Sequence, residues 1–247
     1  MAAKAGRRIS VCLPARDEEK TVGEIVRSIR RTLVAEAGGV DLVDEVLVID
    51  DGSVDGTTPA AKAAGARVVV AGDAGGGKGQ ALTVALGEAI GDVLVFLDAD
   101  VENFGPHFVT GLLGPVLSDD DVGLVKGFYE RPVGAGPGGG GRVTELVARP
   151  VIDLLFPVLA GIRQPLAGET AAPRSVLEKT GLDPDYGIEL GLLIDVADRF
   201  GIEAVAQVDL GVRIHRNRPL DELRHEATDV LRAAISRALP PGAVTPR

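Results

Sequence analysis

The chain has 247 residues, 45% apolar and 25% charged, with a net charge of -10. That composition suits one α/β domain with a sizeable core. The acidic balance, with 3% aromatic residues and no Trp, excludes a phosphate-backbone or base-stacking nucleic-acid binder. The single cysteine, Cys12, excludes an internal disulfide, and its apolar run ISVCL makes it a buried structural thiol. MAAKAGRR at the start lacks the apolar core of a secretory signal. No uncharged apolar stretch of about 18 residues occurs. The expectation is a cytoplasmic protein with no membrane and no nucleic-acid partner.

In chain order, residues 9–13 read as a strand and PARDEEKT as a loop and helix start. Val22, Ile25, Val26, Ile29 and Leu33 then recur at helical spacing. A second strand at 45–49 ends in the polar turn from Asp50 to Thr57, which opens a short helix at 57–64. A third strand, 67–70, leads through the Gly-rich AGDAGGGKGQ into a helix at 80–90. GDVLVFLDAD, 91–100, is a fourth strand carrying Asp98 and Asp100 at its end. This alternation predicts a doubly wound, mostly parallel α/β sheet. The strand ends at 14–18, 50–55 and 98–100 should share one rim, where open α/β sheets bind ligands.

The later half predicts a helix at 106–117, a strand at 122–130 and a Gly/Pro loop at 132–142. A helix at 143–160 should be kinked by Pro150 and Pro157. A short strand near 163–167, a helix from 174, an amphipathic helix at 186–201, a strand at 203–210, a basic loop at 211–220 and a final helix at 221–238 complete the pattern. A disordered tail is expected at 239–247.

Two carboxylates on a strand end suit a hard divalent cation, although D-x-D alone also fits a strand followed by an Asx turn. GGGKGQ is not a P-loop, and neither a dinucleotide fingerprint nor a nucleophile elbow nor zinc-spaced ligands occur. The Gly run before Arg142 is either a linker or a phosphate cradle at a helix start. His215, flanked by Arg213, Arg216 and Arg218, would suit a phosphate or pyrophosphate.

PARDEE (14–19), VLVIDDGSVDGT (46–57), GKGQAL (77–82) and VFLDAD (95–100) together resemble GT-A-type retaining nucleotide-sugar glycosyltransferases. LVKGFYERP, GGGRVTELVARP, QPLAGE, YGIELGLLIDVADRFGI and AQVDLGVRIHRNRPL resemble the glucosyl-3-phosphoglycerate synthase family, over residues 9–235. The resemblance implies a single GT-A-type domain over 1–247, with a Rossmann-like nucleotide-sugar-binding half at 9–104 and an acceptor-binding half at 105–238. It implies glucose transfer, with retention, from UDP-glucose to the 2-hydroxyl of D-3-phosphoglycerate, aided by Mg²⁺ or Mn²⁺. It also implies a homodimer.

The resemblance assigns residues as well. Pro14, Ala15, Arg16, Glu18, Asp50 and Asp51 would form the uridine pocket. Lys78 would contact the donor. Asp98, Asp100 and His215 would hold the metal, with Ala99 toward the ribose. Gly141, Arg142, Thr144 and Asn217 would hold the acceptor's phosphate and carboxylate. Tyr186 and Glu189 would face the sugar and the acceptor hydroxyl, Glu189 as base or orienting group. Leu166 would present its carbonyl near the anomeric carbon. Departures from the family pattern are Asp17 for Asn, Asp51 for Ser, Ala167 for Gly and a shorter loop before Lys78. The first and last bear on UDP- against GDP-sugar selectivity. The alternatives are a mannosyl-3-phosphoglycerate synthase using GDP-mannose, a polyprenyl-phosphate glycosyltransferase and a silent nucleotide-sugar-binding subunit.

Overall fold

The computed structural model describes residues 4, 6–72, 76–131, 141–214 and 220–239. The first hundred residues alternate as expected: β1 (Ile9–Ala15), α1 (Val22–Leu33), β2 (Glu45–Asp50), α2 (Thr57–Ala63), β3 (Arg67–Val70), α3 (Lys78–Glu88) and β4 (Val93–Phe96). In α1 the apolar residues read from the sequence are all buried, while Glu24, Arg27 and Arg31 face solvent. Its acid lies in the first turn and Arg30 and Arg31 in the last, as the helix dipole favours. The second half adds α4 (His107–Ser118), β5 (Leu124–Glu130), α5 (Arg149–Leu155), β6 (Thr170–Pro173), α6 (Arg174–Leu177), α7 (Ile188–Phe200), β7 (Val205–Val212) and α8 (Leu220–Ala238).

The strands form one sheet in the order β3-β2-β1-β4-β6-β5-β7. The pairs β1–β2, β1–β4, β2–β3 and β5–β7 are parallel; only β6 runs antiparallel to its neighbours. Alternate strand residues feed two cores. Val11, Leu13, Val48 and Val95 pack with α1, α2 and α4, and Cys12, Leu47, Ile49 and Phe96 pack with α3, α5, α7 and α8. Both faces are therefore covered, which is why these strands read as continuous apolar runs. Strand order reverses between β1 and β4, so the carboxyl ends of these two strands flank the crevice of an open α/β sheet.

Two expectations change. Residues 163–167 form a turn, with the Ala167 N–H donating to the Gln164 carbonyl at 3.1 Å. Arg149 caps the Ile162 and Arg163 carbonyls at 3.0 and 2.6 Å, so they have no need of a sheet ladder. The strand comes later, at Thr170–Pro173. The segment 143–160 is broken rather than kinked: a π-type turn at Thr144–Ala148, α5, and a 3₁₀ turn at Pro157–Leu159. Pro150 cannot donate to the carbonyl four residues back and its ring crowds that oxygen, which widens the turn before it. Phe156, at φ -136 and ψ 55, ends α5 just before Pro157. Residues 132–140, 215–219 and the tail from 240 lie outside the described residues.

Candidate active site

The rim expected from the sequence assembles at the carboxyl ends of β1, β2 and β4. The Asp51 N–H donates to the Ala15 carbonyl at 3.0 Å, and the Thr21 hydroxyl donates to the Ala99 carbonyl at 2.6 Å. These contacts tie the three strand-end loops together. Asp17 has φ 57, a left-handed conformation that Asp and Asn adopt more readily than most residues. Its carboxylate accepts from the Val54 N–H at 2.8 Å. It does not line the cavity below.

A cavity of about 250 Å³ opens on this rim. It brings together Pro14, Ala15, Arg16, Glu18, Asp51, Lys78, Asp98, Ala99, Asp100, Gly141, Arg142, Thr144, Leu166, Tyr186 and Glu189. These candidates run from position 14 to position 189 of the sequence and meet in one place. Asp50 is the exception. It is buried and turned into its own loop, accepting from the Ser53 N–H at 2.8 Å and from the Thr58 hydroxyl. Burial opposes its ionisation, but these donors outweigh burial and hold its carboxyl below the usual range. It shapes the polar turn and does not line the uridine pocket assigned to it. His215 and Asn217 lie outside the described residues.

Charge organisation inside the cavity is dense. The Lys78 ammonium bridges Asp98 Oδ1 at 2.6 Å and Glu189 Oε1 at 2.6 Å. Arg213 Nη2 reaches Asp98 Oδ2 at 2.8 Å and Asp100 Oδ1 at 2.6 Å. Burial would raise the Asp98 carboxyl, yet the Lys78 and Arg213 cations hold it far below the ordinary carboxylate range. Burial would likewise lower the Lys78 ammonium, and Asp98 and Glu189 together hold it well above its usual value. Asp51 moves the other way: burial pushes it up, although Arg16 and the Gly76 and Gly77 N–H groups pull against that.

Several cavity-wall and buried residues gain a role only from the structure: Arg131 and Lys126 stand in LVKGFYERP and Glu169 in QPLAGE, motifs that by themselves assign them none. Arg131 lines the cavity, its guanidinium stacked 5.0 Å from the Tyr129 ring centre and donating to the Tyr129 hydroxyl at 2.7 Å. Glu226, Leu223 and Val230 add a wall from α8. Glu169 and Lys126 sit beneath it, fully buried. Arg213 was visible within the basic run around His215, but no sequence signal indicates that its targets are the D-x-D carboxylates. α3 can bring Lys78 this close because Gly79 has no side chain: a Cβ there would overlap the Asp183 carbonyl.

Lys126 Nζ donates to the Ala167 carbonyl at 2.5 Å, pinning the turn that carries Leu166. Burial brings its pKa down to about 8. An unfolded lysine titrates near 10.4. Between about pH 8 and 10 the unfolded chain therefore binds more protons than the folded one, and this group makes stability rise with pH. Urea unfolding of Lys126→Met across that window is expected to lose this rise; an unchanged slope would contradict the assignment.

Among the described residues no group of three or more His, Cys, Asp and Glu side chains is placed to hold a metal. The donor set fits a hard cation nonetheless. Asp98 and Asp100 turn oxygens toward one point, and the Arg213 guanidinium now supplies the positive charge there.

Fold, rim and paired acids define a nucleotide-sugar transferase, and the glycosyl transferase family 2 profile matches residues 10–143. The glucosyl-3-phosphoglycerate synthase of Mycolicibacterium paratuberculosis is 50% identical over 96% of this chain and 74% of its own length. That of Petrotoga mobilis is 42% identical over 93% of this chain and 73% of its own. The crystal structure of the Mycobacterium tuberculosis enzyme, in complex with Mn²⁺, UDP-glucose and phosphoglyceric acid, matches with a TM-score of 0.87 at 47% identity. The match covers 98% of this chain and 84% of that one. Within glycosyl transferase family 2, the chain belongs to the glucosyl-3-phosphoglycerate synthases.

Proposed function

We propose that this cavity transfers glucose from UDP-glucose to the 2-hydroxyl of D-3-phosphoglycerate, giving glucosyl-3-phosphoglycerate and UDP with retention at the anomeric carbon. The observation that carries the reading is the convergence of the D-x-D acids, Lys78, Glu189 and the Gly141–Arg142–Thr144 loop start on one 250 Å³ cavity. Crystal structures of the Mycobacterium tuberculosis relative hold UDP with Mn²⁺ or Mg²⁺, and UDP-glucose with phosphoglyceric acid.

In this reading Pro14, Ala15, Arg16, Glu18 and Asp51 receive the uridine. Asp98, Asp100 and His215 hold Mg²⁺ or Mn²⁺, which supplies Lewis-acid neutralisation of the charge developing on UDP. Lys78 stands between Asp98 and Glu189 and adds a second positive charge beside the leaving group. Arg142 offers a two-pronged guanidinium to the acceptor phosphate, and Gly141, Thr144 and Asn217 take the rest of the acceptor's phosphate and carboxylate. Tyr186 and Leu166 border the sugar. Glu189 is held by Lys78 at 2.6 Å, which favours an orienting role for it. The leaving phosphate oxygen then takes the acceptor proton on the face where the new bond forms. Residues 9–104 act as the nucleotide-sugar half and 105–238 as the acceptor half.

Product analysis tests this. The purified chain with Mn²⁺, UDP-glucose and D-3-phosphoglycerate should give, by NMR, an α-glucosyl group on the 2-oxygen. A β-linked product, or faster reaction with GDP-mannose, would overturn the donor and mechanism assigned.

A homodimer in the cytoplasm belongs to the same proposal. Leu146, Leu154, Leu155 and Val158 are exposed at 74%, 80%, 46% and 58% along the broken segment 144–159. An apolar stripe of this kind suits an interface. No described helix is long and apolar enough to cross a membrane. Leu154→Glu should shift the sedimenting species from dimer to monomer; an unchanged sedimentation coefficient would place the interface elsewhere.

A further inference from the structure

Glu169 has 0% exposure and sits just before β6, the one antiparallel strand. Its carbonyl is fixed by the Gly127 N–H at 2.8 Å. Its carboxylate lies 3.0 Å from Arg213 Nε. Neither oxygen has an aligned hydrogen-bond donor among the described residues. A buried acid left so poorly satisfied calls for a reason; attraction to Arg213 is its strongest balancing contact, with the Tyr129 hydroxyl and the Lys78 ammonium also nearby.

Arg213 is itself 3% exposed and meets three carboxylates. Through Nη2 it holds Asp98 and Asp100, and through Nε it faces Glu169. Nη1 donates to the Tyr129 hydroxyl at 3.2 Å. A guanidinium cannot give up its proton here. For Asp98 and Asp100 to turn to a divalent cation, Arg213 must release them and still be balanced, since an unpaired buried charge is strongly destabilising.

We infer that Glu169 is a positioning residue, the fixed counter-ion that retains Arg213 so that the Asp98–Asp100 pair can exchange a guanidinium for a divalent cation. The inference rests on the metal reading of that pair. Without the Glu169 charge, the D-x-D acids are the remaining carboxylates that Arg213 pairs with among the described residues, and it competes with the metal for them.

Calorimetric titration of Mn²⁺ into the full chain, with saturating UDP, tests this through a double-mutant cycle of Glu169→Gln and Arg213→Gln. Glu169→Gln keeps the shape and removes the charge. It should weaken Mn²⁺ binding at least tenfold when Arg213 is present. In the Arg213→Gln background the same change should alter affinity by less than threefold. Equal losses in both backgrounds, or none in either, would overturn the inference. Should Glu169→Gln alone not fold, the comparison of Arg213→Gln with the double variant still decides, because a further tenfold loss there contradicts it. A parent chain that binds no Mn²⁺ with UDP would instead sink the metal reading, a separate outcome.

Discussion

Asp98→Ala is expected to lower turnover by at least ~10³-fold, because preorganised charge at the leaving group is lost. It is also expected to cost about 3 kcal/mol of stability, since removing one partner strands buried charges. Asp98 engages Lys78 at 2.6 Å and Arg213 at 2.8 Å, and its removal deprives both cations of a partner. The stability loss comes from two cations distant from Asp98 in the chain, which no local pattern reveals. Initial rates of UDP release and urea unfolding read the two effects separately. A variant with near-parent turnover would remove Asp98 from the reaction, and parent-like stability would show that Lys78 and Arg213 find other partners. Asp98→Asn, which keeps the shape, should lose similar activity and less stability.

Gly168→Ala is the second large effect. A Cβ at Gly168 would overlap the Asp98 carboxylate and the Lys78 ammonium. Flexible side chains usually step aside, but here doing so breaks ion pairs. Lys78 is pinned between Asp98 and Glu189, and Asp98 is also held by Arg213. The added methyl should displace the donor-side charges and lower kcat by ~10²-fold, the scale of a misplacement near 1 Å. Overpacking should add about 1–3 kcal/mol of instability. Steady-state rates with both substrates and thermal unfolding check this. A kcat within threefold of the parent would mean that the segment under Asp98 yields, against the close packing described.

Local patterns carry the first half of the fold. The helical spacing in α1, the apolar runs of β1, β2 and β4 and the polar turn after Asp50 each specify their own geometry. The parallel sheet follows from their alternation. The shared rim follows too, because acids at successive strand ends must converge once the strands are parallel. β6 is the failure. Its four residues, TAAP, have weak strand character, and what makes them a strand is the gap between β4 and β5, a tertiary effect.

The cavity's membership was legible through motifs, but its internal pairing was not. Asp50 looks like a site acid by position, yet hydrogen bonds from Ser53 and Thr58 turn it inward. Nothing local to Arg213 or Glu169 reveals a contact with each other, or with acids more than a hundred residues from Arg213. Such pairings depend on strand order, which periodicity does not report.

The most direct measurement is UDP release by the purified chain, with and without D-3-phosphoglycerate, in the presence of Mg²⁺ or Mn²⁺ and then of a chelator. Rapid release from UDP-glucose is expected only when acceptor and metal are both present, with slow background hydrolysis otherwise. Release that is indifferent to 3-phosphoglycerate, or undiminished by the chelator, would contradict a metal-dependent glucosyl transfer at this cavity.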